Sequence, residues 1–140
     1  MSINSIAAEK PAAIASPFVV LIGRALLSAM FIFAGYSKLT AIAGTAGWFG
    51  SLGLPMPTVA AIAVGLLELF GGLFILAGYR TRIAALALAA FTIAATGIAH
   101  LDFTDQMQLL FLQKNLSITG GLLILAIFGA GALSVDARRG

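Results

Sequence analysis

The chain has 140 residues, of which 61% are apolar and only 9% charged, against roughly 25% charged in soluble globular proteins. Eight basic and five acidic residues cannot coat a water-facing surface, so the composition excludes a soluble fold and requires that the surface face lipid. The absence of cysteine and the single histidine exclude a disulfide, a thiolate-held iron–sulfur cluster and a bis-histidine haem within this chain.

Residues 1–16 (MSINSIAAEKPAAIAS) are small, polar and mixed, and read as a disordered tail on the cytoplasmic side. The apolar run after Pro17 is longer than the 7–15 residues of a signal peptide's core, and no A-x-A site follows it, so it is expected to stay as a first helix. Four stretches reach the ~20 apolar residues that a membrane crossing needs: about 18–39, 58–79, 82–101 and 116–133. Between the first two, Gly44, Gly47, Gly50 and Gly53 surround Trp48 and Phe49, and Pro55 and Pro57 follow. Those residues predict a broken, interfacial connection, with Pro57 opening the second helix. Gly78-Tyr79-Arg80-Thr81 is a tight hairpin. Asp102, Thr104 and Asp105 open a longer polar link, with a short interfacial helix expected over Gln106–Phe111. The expectation is one all-α domain over 17–136, a four-helix transmembrane bundle running up-down-up-down, followed by a cytoplasmic tail at 137–140.

Counting cations outside the helices sets the orientation. Lys10, Arg80, Arg82, Arg138 and Arg139 fall on one side, Lys38 and Lys114 on the other, which predicts cytoplasmic termini and a cytoplasmic hairpin. The cations occur singly and form no stripe that would meet phosphates, so no nucleic-acid partner is expected. The partner is the bilayer itself. Glycines 65, 71, 72, 120 and 121, together with the alanines of the third helix, suit close helix packing in lipid.

Glu68 lies midway along the second helix, where a carboxylate is costly and must face the bundle interior. On the first helix Arg24, Ser28, Phe31, Gly35 and Lys38 share one stripe at helical spacing. From the rise per residue, Arg24 sits roughly 8 Å and Glu68 roughly 15 Å above the cytoplasmic boundary, so Arg24 is the expected partner of Glu68. Thr92, Thr96 and His100 recur at steps of four, and Lys114 and Asn115 open the fourth helix. Lys38, His100 and Lys114 are expected to form a positively biased mouth above Glu68. For each there is a plainer reading. The lysines can snorkel to the interface, the threonines can bond their own backbone, and the buried charges can fix helix register.

In order and spacing, Gly23-Arg24, Phe33-x-Gly35-Tyr36-x-Lys38-Leu39, Glu68-x-x-Gly71-Gly72, Gly78-Tyr79-Arg80-Thr81-Arg82, His100, Lys114-Asn115 and Gly131-x-x-Ser134-x-Asp136 resemble the DoxX family of small bacterial and archaeal membrane proteins. The resemblance implies four membrane helices in the cell (inner) membrane. It also implies an association with redox chemistry, because that family includes a subunit of a thiosulfate:quinone oxidoreductase. Three readings stay open. In the first, the chain is a membrane subunit of a quinone-linked oxidoreductase. Glu68 and His100 would do the proton chemistry, Arg24, Tyr36, Lys38, Lys114 and Asn115 would line a quinone pocket, no cofactor would be held covalently, and a redox partner subunit would supply electrons. The second is a small-solute or proton transporter, for which a homodimer would supply the repeat. The third is a non-catalytic scaffold or assembly factor.

Overall fold

A computed structural model of the protein describes residues 16–140. The tail expected over residues 1–16 therefore falls, apart from Ser16, outside the described residues. Six helices follow in chain order: α1 Pro17–Thr40, α2 Ile42–Ser51, α3 Pro57–Ala77, α4 Thr81–Ala99, α5 Gln106–Phe128 and α6 Val135–Arg139. α1, α3, α4 and α5 are long and apolar enough to cross a membrane. The chain is an all-helical, multi-pass membrane protein.

Local chemistry accounts for the ends of the helices. Proline opens both α1 and α3, where its missing N–H costs nothing. α3 stops at Gly78, whose φ of 70° is left-handed and favours glycine. The Asp105 carboxylate accepts from the Met107 amide at 2.9 Å and starts α5, the usual service of an N-capping aspartate.

Two expected connections are helical instead. α5 begins ten residues before the expected start at 116 and ends at Phe128, so the short helix expected at Gln106–Phe111 is its first turns. No glycine or proline interrupts 106–119, and a helix continues through polar residues such as Gln108, Gln113 and Lys114 as readily as through apolar ones. The glycine-rich stretch after α1 also forms a helix, α2. Ala46 and Phe49 bury there against Ala61 of α3, and that packing outweighs a propensity cost of about 1 kcal/mol per glycine. The expected tail at 137–140 largely belongs to α6, whose Ser134 cap accepts from the Ala137 amide at 3.1 Å.

α1 packs chiefly on α3, α4 on α5, and α2 on α3, while α1 and α5 barely meet. The α1–α3 seam is close enough for backbone contact. A Cβ on Gly35 would stand 2.6 Å from the Gly65 carbonyl oxygen, and one on Gly72 would stand 3.0 Å from the Ile32 amide nitrogen. Lipid gives helices no hydrophobic reason to associate, so approach of this kind supplies the dispersion that holds them. Phe31, Ile75, Leu88 and Leu122 fill the interior, and Leu26, Phe33, Ile83, Ile124 and Phe128 stand exposed on the outside. That inversion suits an acyl-chain solvent.

One end of the bundle is closed by the C-terminal segment. Arg24 donates to the carbonyls of Ala130 (2.7 Å), Leu133 (2.8 Å) and Leu76 (3.2 Å). The Asp136 carboxylate accepts from the amides of Arg80 (2.7 Å) and Thr81 (2.9 Å) at the start of α4, and the Asp136 amide donates to the Gly78 carbonyl at 2.8 Å.

Candidate functional site

The opposite half of the bundle encloses a cavity of about 360 Å³ between α1, α2, α3, α4 and the first half of α5. α3 presents Glu68, 5% exposed, because helical spacing aligns it with Ala61, Gly65, Gly72 and Ile75 on the buried face of that helix. Its partner is Lys38, whose Nζ lies 2.7 Å from a Glu68 carboxylate oxygen. The pair joins α1 to α3 beside their glycine contact. With one charge of each sign a few ångströms apart, neither has to stand alone in a low-dielectric interior.

α4 and α5 supply the opposite wall. Thr92 and Thr96 are buried, and each hydroxyl donates to the carbonyl four residues earlier at 2.7 Å, the bond expected of threonine in a membrane helix. Asn115 Nδ2 donates to Thr96 Oγ1 at 2.9 Å, which ties α5 to α4. His100 ends α4 and stacks 5.1 Å from the Phe111 ring, while Lys114 Nζ stands 5.1 Å over the same ring. The remaining wall is apolar: Phe31 of α1, Trp48 and Phe49 of α2, and Phe91 and Ala95 of α4.

Of the residues nominated from sequence, Lys38, Glu68, His100, Lys114 and Asn115 line this one cavity. Two do not join them. Tyr36 is 62% exposed on the outer face of α1. Arg24 does not meet Glu68, because its guanidinium is turned to the carbonyls of the closed end. The α1–α3 register explains this. Gly35 sits against Gly65 and Leu69, and Gly72 against Ser28 and Ile32, which puts Arg24 beside Leu76 and about two turns of α3 away from Glu68. Trp48 and Phe49 were expected only as interfacial residues. Their place in the wall follows from α2 folding back on α3, and the signal for it was the Ala46/Phe49 spacing of one helical face.

The DoxX family model matches residues 19–101. The chain is 42% identical over 120 residues to the inner membrane protein YqjF of Escherichia coli, covering 84% of this chain and 88% of that one. It is 36% identical over 129 residues to the inner membrane protein YphA of the same organism, covering 89% and 92%. No solved structure matches the chain. On these matches, with four membrane-length helices, the chain belongs to the DoxX family.

Proposed function

We propose that this is an inner-membrane protein whose cavity takes a quinone headgroup, and that it serves as a membrane component of an oxidoreductase system. The location rests on the two Escherichia coli relatives, both named as inner membrane proteins. The grouping of Arg80, Arg82, Arg138 and Arg139 at one end favours cytoplasmic placement of the α3–α4 hairpin and the C-terminus. Labelling of a cysteine introduced at position 80 from the periplasmic side would reverse that orientation.

One observation carries the reading of the site: a carboxylate–ammonium pair, buried Glu68 with partly buried Lys38, opens on an apolar cavity of about 360 Å³. That volume falls at the small end of the ~300–1,000 Å³ typical of small-molecule sites. The donors present suit a quinone, which offers two carbonyl acceptors on a flat apolar ring. The Lys114 ammonium and the His100 ring are the groups to hold a carbonyl, and Phe31, Phe49 and Ala95 are the surfaces to pack the ring. A bound quinone supplies two-electron, two-proton redox chemistry. The chain's part is to hold, orient and protonate. Glu68 exchanges a proton at its carboxylate, Lys38 balances its charge, and the Thr96–Asn115 bond fixes the wall. Electrons come from a redox partner, since no cysteine and one histidine leave the chain no cluster or bis-histidine haem of its own.

Trp48 lines the cavity and is the only tryptophan, so its fluorescence reports occupancy. Decyl-ubiquinone is expected to quench it saturably in the purified protein. Lys114→Met and His100→Leu are each expected to weaken binding about tenfold, the worth of one hydrogen bond. Absent quenching, or affinity unchanged in both variants, would sink the quinone site. The Lys38–Glu68 pair would then stand as a register device between α1 and α3, the scaffold reading.

A further inference from the structure

Two cavities at the closed end, remote from Glu68, adjoin one another and share part of their wall. The larger, about 800 Å³, is an apolar groove between α1 and α5, walled by Leu26, Leu27, Ile124 and Phe128, with Arg24 at its base. It exists because those two helices barely touch. The smaller, about 490 Å³, lies between the start of α4 and the α5–α6 connection and holds Arg80, Thr81 and Arg82. Phe128, Gly129 and Gly131 line both, so a chain-like molecule can occupy the two together.

The smaller cavity and the groove's base present donors that lack acceptors. Arg24 Nε at the base of the groove is buried and has no hydrogen-bond partner. Arg82 makes no ion pair among the described residues, and its guanidinium lies 3.6 Å from where a Gly129 Cβ would stand. Asp136, the acid of this cluster, accepts from the Arg80 and Thr81 amides and makes no ion pair with Arg82. No carboxylate among the described residues pairs with Arg82. A second copy in parallel orientation brings to this end, among the described residues, only its own Asp136, since Asp102 and Asp105 lie at the other end of the bundle, where α5 begins.

We propose that the paired cavities bind an anionic glycerophospholipid, with its phosphate at Arg80 and Arg82 and an acyl chain along the α1–α5 groove. The groove is open to the bilayer and apolar, which selects a chain. Basic pockets between membrane helices select anionic headgroups. The charge at this site is supplied by Arg80 and Arg82, with Arg138 and Arg139 close by on α6.

The test is native mass spectrometry of the full-length protein in micelles, titrated with dioleoyl phosphatidylglycerol or dioleoyl phosphatidylcholine. The wild type is expected to hold phosphatidylglycerol at least about fivefold tighter, the factor that one basic residue near a membrane surface contributes. Arg82→Gln is expected to bring the two lipids together, and Arg82→Lys to keep them apart. Gly23 lines the groove and a Cβ there would meet nothing within 4 Å, so Gly23→Leu is expected to fill the groove and weaken both lipids alike. Equal affinity for the two lipids in the wild type would overturn the proposal, as would a preference that survives Arg82→Gln. Displacement of phosphatidylglycerol by equimolar glycerol 3-phosphate would also overturn it, by assigning the pocket to free phosphate. Displacement of lipid on dimerisation would do the same, by assigning the groove to a second copy.

Discussion

Two glycines of the same helix, Gly23 and Gly35, separate the effect of helix propensity from that of backbone contact. Alanine is favoured over glycine in a helix by about 1 kcal/mol at either position. At Gly23 nothing opposes that gain, since a Cβ would have no atom within 4 Å. At Gly35 the Cβ would collide with the Leu69 amide and stand 2.6 Å from the Gly65 oxygen, and both neighbours are backbone. Reaching ordinary contact requires α1 to retreat from α3 by about 1 Å, and a gap of about 0.5–1 Å forfeits a quarter to a half of each dispersion well along the seam. Overpacking of this kind costs about 1–3 kcal/mol, and here it also stretches the Lys38–Glu68 pair. Gly35→Ala is therefore expected to lose about 1 kcal/mol net of the propensity gain, while Gly23→Ala is expected to gain up to about 1 kcal/mol. Reversible unfolding in mixed detergent micelles, followed by Trp48 fluorescence, reads both. Equal stabilities of the two variants would refute the argument that backbone contact holds α1 to α3.

Two further expectations concern charge. A double-mutant cycle on Lys38→Met and Glu68→Gln is expected to show coupling of about 1 kcal/mol or more, because the groups touch in a largely buried setting. The same cycle on Arg24→Met and Glu68→Gln is expected to be additive, and coupling there would contradict the placement of Arg24. At Asp136, partial burial opposes ionisation, but the hydrogen bonds from Thr81 and the Arg80 amide and the charge of Arg139 outweigh it and hold the carboxyl below the usual range. A depressed folded-state value gives stability that is present above the unfolded carboxylate value of about 3.9 and is lost as pH falls through the lowered one. Unfolding titrations down through pH 4 are expected to show a steeper loss for the wild type than for Asp136→Asn, and parallel curves would remove Asp136 from the stability of the closed end.

Much of the fold was legible because lipid imposes one crude requirement, about 20 apolar residues per crossing, and the chain meets it four times. The inward stripe of α1 was legible too. Arg24, Ser28, Phe31 and Gly35 are the buried residues of that helix, as angular spacing alone indicated. Angle says nothing of axial register, however, and register decided which cation meets Glu68. Reading depth from the two helix ends favoured Arg24, whereas the glycine contacts of α1 with α3 slide Lys38 into reach. α2 was hidden for a different reason. Its glycines argue for a loop on propensity, and the packing of Phe49 that overrides them is a tertiary fact. The polar start of α5 was likewise mistaken for a boundary, because Lys114 and Asn115 look like interface residues until the cavity they face is seen.

The carbonyl ties of Arg24 also set an order of events during synthesis. Its 2.7 Å bond is to Ala130, 106 residues further along the chain. At about 5–20 residues per second, α1 waits roughly five to twenty seconds before those acceptors emerge. Through the second half of that interval the Leu76 carbonyl, 52 residues along, is the one acceptor of the three already made, and the other two arrive only with the last helix.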